Sequence, residues 1–151
     1  MSHLPLRPFA SADEIRRVGE AMLACTLPKE GWTHEAHLST CLWLIVERPD
    51  VTLERDLPGL IRRYNESVGG QNTDTAGYHE TLTQLYIRGV RGFLAGREGG
   101  LLELVDALLA SPIGPRDWPL RFYSRERLFS VAARRGWVEP DLAPIESMAL
   151  R

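Results

Sequence analysis

The chain has 151 residues, of which 44% are hydrophobic and 25% charged, and its formal net charge at pH 7 is −2. This length and this balance fit one globular domain with a sizeable hydrophobic core. The nearly neutral charge argues against nucleic acid or an anionic membrane surface as a partner. No apolar run reaches the roughly 20 residues that a membrane-spanning helix needs.

The N-terminus and the two cysteines indicate the cellular compartment in which the protein is expected to reside. Residues 1–8 lack the apolar stretch of a secretory signal peptide. The two cysteines, Cys25 and Cys41, show no metal-binding or disulfide spacing. They are expected to be free thiols in a reducing compartment, so the sequence predicts a cytoplasmic protein.

The first predicted helix follows an extended lead-in over residues 1–10, which contain two prolines and no periodicity. Ser11 and Glu14 have the spacing of a capping box, in which a hydroxyl and a carboxylate satisfy backbone N–H groups. Apolar residues then recur at three- and four-residue spacing, which predicts a helix from about 12 to 25.

The second predicted helix carries two of the four histidines. Thr33 is its expected N-cap, and Pro49 should stop it at about residue 48. On a helical wheel, His34 and His37 lie on the apolar arc that also contains Cys41. Both histidines therefore belong to the predicted buried face.

A third helix is predicted within residues 51–67. Pro58 lacks a backbone N–H and favours a break or a late start, with Asp56 as the N-cap. The polar segment 69–74 that follows has the length and position of a loop that lines a site.

The fourth predicted helix, from about 76 to 96, places His79 and Tyr86 on one apolar arc, with Glu80 at its border. Three glycines should weaken this helix by about 1 kcal/mol each relative to alanine. Their spacing would let another helix approach closely; they are Gly89, Gly92 and Gly96.

The last part of the chain predicts two more helices. Residues 100–110 are apolar on most sides, which suits a central helix or the interface of a homodimer. Ser124 is the expected cap of a helix over 125–135 that Gly136 ends. The tail over 138–151 should be irregular. No stretch alternates long enough to predict a strand, so we expect an all-α, single-domain bundle of five to six helices.

Three histidines form the strongest candidate for a functional site. Imidazole nitrogen is a common ligand of zinc, and two ligands from one helix plus one from another leave open coordination positions. Such a centre holds a water molecule and lowers its pKa to about 7. His34, His37 and His79 therefore predict a divalent-metal site, with zinc as the first choice, and a small metal-dependent hydrolase as one function.

Two neighbouring residues could assist proton transfer at this predicted site. Glu80 follows His79 directly, and its alternative role is a favourable charge at a helix start. Tyr86 lies two turns further along the same face, and its alternative is a core tyrosine. Cys41 could be a fourth metal ligand, although a small core residue is the simpler interpretation.

The start of the last predicted helix is a candidate ligand-binding segment. Tyr123 and Arg125 flank Ser124, and free backbone N–H groups together with an arginine can hold a carboxylate or a phosphate. The alternative is an ordinary solvated helix start. Trp118 lies shortly before it, as either a lid or a packing anchor.

Three segments together resemble a group of small bacterial proteins of unknown function. They are Trp-Thr-His-Glu-Ala-His-Leu at 32–38, Gly-Tyr-His-Glu-Thr-Leu-Thr at 77–83 and Tyr-Ser-Arg-Glu-Arg-Leu-Phe-Ser at 123–130. The resemblance implies an all-helical domain whose shared site contains His34, His37, His79, Glu80 and the region from Tyr123 to Arg125. It implies no particular activity.

The sequence leaves three functions open. The first is the metal-dependent enzyme described above, acting on a small polar substrate. The second is a non-enzymatic or regulatory domain whose histidines contact a small-molecule ligand. The third is a structural helical protein whose histidines make internal hydrogen bonds. Whether the chain is an enzyme stays open at this stage.

Overall fold

The computed structural model describes residues 9–145, and all regular secondary structure in that range is helical. The predicted all-α class is therefore confirmed. Two 3-10 turns, Lys29–Gly31 and Trp118–Arg121, accompany the α-helices. The α-helices of the described range are α1 (Ala12–Leu23), α2 (His34–Glu47), α3 (Leu53–Ser67), α4 (Glu80–Leu94), α5 (Leu101–Ala110), α6 (Arg125–Leu128) and α7 (Val131–Arg135).

The predicted caps of the first two helices are confirmed. The Ser11 hydroxyl accepts a hydrogen bond from the backbone N–H of Glu14, and the Thr33 hydroxyl accepts one from Ala36. α1 ends slightly earlier than expected, and Cys25 just beyond it has a φ of 59°, in the left-handed region. That conformation is incompatible with a continuing right-handed helix.

α2 is the central helix of the molecule, and it packs against α1, α4 and α5. Ser39 and Thr40 are polar residues of α2, yet both are buried. They are buried because neighbouring helices cover α2 on several sides. Gly19 lets α1 approach α2 closely, since an added Cβ there would lie 2.4 Å from a carbon of the Trp43 ring.

The prediction of a break or late start at Pro58 is wrong. α3 runs from Leu53 without interruption, and Thr52 is its N-cap. The missing N–H of Pro58 would have paired with the Glu54 carbonyl, four residues earlier. That carbonyl instead accepts a hydrogen bond from the Gln84 side chain of α4, at 3.2 Å.

α4 begins later than predicted, at Glu80, and His79 is its N-cap rather than part of its first turn. The close approach expected at the glycines occurs at Gly89, but a side chain and not a helix fills the space. An added Cβ at Gly89 would lie 2.6 Å from the Trp118 ring. Trp118 is 2% exposed, so it is a packing anchor.

The single helix predicted over 125–135 is two short helices, α6 and α7. The Ser124 hydroxyl caps α6 as expected, by accepting from the N–H of Arg127. Ser130 starts a new helix, because its own hydroxyl accepts from the N–H of Ala133. The following segment is irregular as predicted, up to the end of the described residues. Residues 1–8 of the lead-in and 146–151 of the tail lie outside them.

α5 is buried within one chain, since its apolar residues pack toward α1 and α2. The buried positions are Leu101, Leu104, Val105 and Leu108. No helix within residues 9–145 has both the length and the apolar character that crossing a membrane requires.

Candidate functional site

A large cavity opens between α2, α3, α4 and the segment 116–129, with a volume of about 910 Å³. All three candidate histidines line it, and most of its remaining wall is apolar. α3 contributes Leu57 and Ile61, and α4 contributes Leu82. The volume lies within the range of about 300 to 1,000 Å³ that is usual for small-molecule sites.

His37 is held in one tautomer at the α2 wall. Its Nδ1–H donates to the Thr33 carbonyl at 2.6 Å, because a carbonyl can only accept. The Trp32 ring packs against it, with centroids 4.0 Å apart and the ring planes tilted by 32°. The histidine is exposed to the cavity, yet the surrounding walls desolvate it and lower its pKa to about 4. At neutral pH, His37 is therefore uncharged and keeps a lone pair on Nε2.

His34 has the opposite tautomer. Its Nε2–H donates to the Gly114 carbonyl at 2.8 Å, which leaves the lone pair on Nδ1. The ring packs edge-on to Tyr86, with centroids 6.2 Å apart. Gly114 permits this contact because an added Cβ there would lie 1.9 Å from the Leu109 carbonyl oxygen.

His79 uses both ring nitrogens in bonds within the protein. Its Nε2–H donates to the Leu128 carbonyl at 2.7 Å, and its Nδ1 accepts from the backbone N–H of Leu82 at 3.1 Å. Burial lowers its pKa, so the ring is neutral at neutral pH. His79 thus caps α4 and ties it to α6, which leaves no ring nitrogen free for a metal ion.

The structure does not test whether the three histidines bind a metal ion, so the metal site stays a prediction. Within residues 9–145, no group of three or more His, Cys, Asp or Glu side chains is arranged to hold a metal ion. His34 and His37 each retain one lone pair beside the cavity. Recruitment of His79 as a third ligand would require the loss of its bond from Leu82.

Glu80 and Tyr86, the predicted proton-transfer residues, lie in different surroundings. Glu80 accepts hydrogen bonds from the Tyr78 hydroxyl and the Gln84 amide, so its carboxylate stabilises the start of α4. Tyr86 lines the cavity and contacts Trp118, with centroids 5.2 Å apart. Burial raises the pKa of Tyr86, and the phenol is therefore neutral and able to donate.

The predicted pair Tyr123 and Arg125 is separated. The Tyr123 hydroxyl donates to the Val138 carbonyl at 2.6 Å, and its ring packs on Trp137 in the core. Arg125 lines the cavity and is exposed. At this helix start the place predicted for a ligand's carboxylate is taken by a side chain of the protein. The Asp141 carboxylate accepts hydrogen bonds from both the N–H and the hydroxyl of Ser124.

The loop predicted to line a site does so, and Asn72 holds it in place. The side-chain oxygen of Asn72 accepts from the Tyr78 N–H and from the Asn65 amide, both at 3.0 Å. Gly77 has a φ of 82°, and an added Cβ there would lie 2.0 Å from the Gln71 carbonyl oxygen. This close turn brings Tyr78 to the cavity wall.

Sequence reasoning missed two polar atoms of the cavity wall. Among the described residues, the buried Trp32 Nε1 and Thr40 Oγ1 have no hydrogen-bond partner, and both residues line the cavity. The available signal was position, since Trp32 precedes the first histidine pair and Thr40 follows His37 by one helical turn. Cys41 lies beside them, and burial raises the pKa of its thiol to about 12, so it is protonated.

Comparison of the chain with protein-family models, curated proteins and solved structures gave no match. The resemblance to small bacterial helical proteins, the cytoplasmic location and the homodimer stay predictions.

Proposed function

We propose that this protein binds a small organic molecule with an apolar body in the cavity. The supporting observation is a largely apolar cavity of about 910 Å³ whose lining residues include Trp32 and Thr40, each with a buried polar atom that has no hydrogen-bond partner. Leaving a buried polar group unpaired costs about 1 to 3 kcal/mol, and native proteins contain few such groups. A ligand that pairs with both atoms after a small side-chain rotation would regain that free energy on binding.

The shape and chemistry of the wall suit such a ligand. Apolar side chains from α3 and α4 provide contact area, and the packed rings of Trp32 and His37 provide aromatic surface. Few polar groups in a largely apolar cavity orient a ligand rather than supply most of its affinity. This arrangement supports binding as the primary function.

Titration with a neutral fluorescent probe, N-phenyl-1-naphthylamine, tests the proposal. The probe should bind saturably at one site, with enhanced and blue-shifted emission. Ile61→Trp would fill part of the cavity and should weaken binding at least about tenfold, because the probe and the new indole compete for one volume. The matched control is Val46→Trp, at a residue 44% exposed on α2.

A second filling variant, Leu120→Trp, approaches from the opposite wall and guards against a folding defect in the first. Circular dichroism would establish that each variant is folded. Absence of saturable binding in the wild-type protein, or equal binding in both filled variants and the control, would refute the proposed function.

A divalent metal ion, zinc first, is the second candidate, and the histidine tautomers favour it. Metal-ligating histidines commonly donate their other ring N–H to a backbone carbonyl. His34 and His37 both do so, to Gly114 and Thr33. With a bound water, such an ion would supply the hydrolytic chemistry predicted from the sequence.

Elemental analysis of tag-free protein after incubation with zinc tests this candidate. One equivalent of zinc that is lost in His37→Ala would support it. Loss of zinc in His79→Asn as well would identify the full three-histidine set. No retained zinc in the wild-type protein would exclude it.

A further inference from the structure

We infer that the ligand carries an anionic group, a carboxylate on a flat apolar body, and that Arg116 and the Tyr86 hydroxyl bind that group. This inference rests on the proposed function and specifies its ligand class. Four independent features of the cavity support it: its charge, the absence of ion pairs, the position of Arg116, and the ratio of donors to acceptors.

The charge of the cavity lining is opposite to that of the whole chain. Three cationic residues line the cavity, Lys29, Arg116 and Arg125, against one acidic residue, Asp117, which gives a local charge of +2. The chain as a whole carries −2. A concave, low-dielectric surface of one sign concentrates the field and attracts ligands of opposite charge.

None of the three cationic residues of the cavity lining forms an ion pair with another described residue. Among residues 9–145, Lys29, Arg116 and Arg125 take part in none of the ion pairs. Elsewhere, Arg91 pairs with Glu54 through two hydrogen bonds, and Arg135 pairs with Asp74 in the same way. The guanidinium of Arg116 therefore keeps its donors for a carboxylate, the group that an arginine fork matches best.

Arg116 lies near the other polar groups of the cavity. It lines the same cavity as His37 and Tyr86. Burial lowers the pKa of His37 and raises that of Tyr86, and the charge of Arg116 adds to the first effect and opposes the second. His34 and Tyr86 are in ring contact, and Trp32 packs against His37. The polar side chains thus form one continuous stretch of wall, with Arg116 beside it.

Donors outnumber acceptors along this stretch. Trp32 Nε1 can only donate, the hydroxyls of Thr40 and Tyr86 can donate, and Arg116 offers several N–H groups. His37 Nε2 and His34 Nδ1 supply the acceptor lone pairs. An anionic oxygen acceptor satisfies this inventory better than a neutral or cationic ligand, because charge-assisted hydrogen bonds are the stronger ones.

A matched pair of competitors tests the charge requirement. 1-Naphthoate and 1-naphthalenemethanol share one aromatic body, and only the first carries a negative charge. Each would displace bound N-phenyl-1-naphthylamine from the wild-type protein. We expect naphthoate to compete about 10-fold or more strongly than the alcohol, because a hydrogen bond to a charged group is worth about 1.5 to 3 kcal/mol.

Two arginine variants locate the anion. Arg116→Gln should reduce the preference for naphthoate to about twofold or less while probe binding is retained. Arg121→Gln is the matched control, since Arg121 is also exposed, lies outside the cavity lining and belongs to the neighbouring 3-10 turn. That variant should keep the wild-type preference.

The outcomes separate the two proposals. Probe binding without a preference for naphthoate, or a preference that Arg116→Gln leaves intact, would overturn the inference and leave the proposed function standing. Failure of the probe to bind the wild-type protein would overturn both.

Discussion

At the level of single residues, three histidines of one cavity perform different tasks. The difference depends on which ring nitrogen meets a backbone carbonyl. His34 donates through Nε2 and His37 through Nδ1, so a different nitrogen of each ring has no bond within the described chain. His79 also accepts from Leu82 and thereby becomes structural. Backbone contacts thus decide which imidazoles are available to a ligand.

Replacement of His79 should reveal its structural role. His79→Ala removes the cap of α4 and leaves the Leu128 carbonyl without its donor, so we expect a loss of about 1 to 3 kcal/mol in the free energy of unfolding. His79→Asn restores the cap and should recover a measurable part of that loss. Urea denaturation gives both values, and equal destabilisation by the two variants would contradict the capping role.

Replacement of Tyr86 should separate ligand contact from packing. Tyr86→Phe keeps the ring contacts with His34 and Trp118 but removes the hydroxyl donor. We expect naphthoate to bind more weakly by about 10-fold or more, as for the loss of one hydrogen bond to a charged group, which is worth about 1.5 to 3 kcal/mol. Thermal stability should stay near that of the wild-type protein. Unchanged naphthoate affinity would place the carboxylate away from this hydroxyl.

The sequence predicts the location of these residues better than their bonding. Helical periodicity places all three histidines toward the interior, because residues three and four apart share a face. The carbonyl that fixes His34 lies 80 residues away, and the one that fixes His79 lies 49 residues away. Periodicity contains no information about such contacts, so the free and the occupied nitrogens could not be distinguished.

At the level of helices, the sequence predicts caps made by nearby side chains. It does not predict hydrogen bonds from another helix that replace a missing backbone bond. The hydroxyls of Ser11, Thr33 and Ser124 each cap a helix through an N–H three residues ahead, a contact that the sequence displays directly. Continuation of α3 through Pro58 depends on Gln84, which lies 30 residues from the carbonyl it binds. The prediction was wrong there because the compensating donor belongs to another helix.

Two helical glycines should respond to alanine in opposite directions. At Gly59, in α3, no other atom lies within 4 Å of an added Cβ, whereas at Gly89 the Trp118 ring lies 2.6 Å away. Gly59→Ala should stabilise the protein by about 0.5 to 1 kcal/mol through helix propensity. Gly89→Ala should destabilise it by about 1 to 3 kcal/mol through overpacking. Chemical denaturation of both variants measures the difference, and stabilisation by Gly89→Ala would refute the close packing of Trp118.

At the level of the whole molecule, the fold keeps a cavity open beside its most buried helix. α2 contacts three other long helices on its buried sides and presents His37, Thr40 and Cys41 to the cavity. Asn72 fixes the loop at one side, and Trp118 anchors the segment at the other. The walls are therefore held by contacts outside the cavity, and an apolar space of this size can persist without collapse.

His37 and His79, whose pKa values are lowered by burial, should make the stability of the whole protein depend on pH. The pKa of His37 is about 4 in the folded state against an ordinary value of 6.5, and burial lowers the pKa of His79 as well. As the pH falls below about 6.5, the unfolded chain therefore binds protons before the folded chain does, and the free energy of unfolding decreases.

For His37 we expect the free energy of unfolding to decrease by about 1 kcal/mol between about pH 7 and about pH 5, since exposure to cavity water weakens the effect of the pKa shift on stability. Carboxylates with lowered pKa, such as Glu47 and Asp56, keep their contribution above their ordinary pKa values, so they do not obscure this window. Urea denaturation across the window should show a smaller slope in His37→Gln than in the wild-type protein, and equal slopes would mean that His37 titrates normally in the folded state.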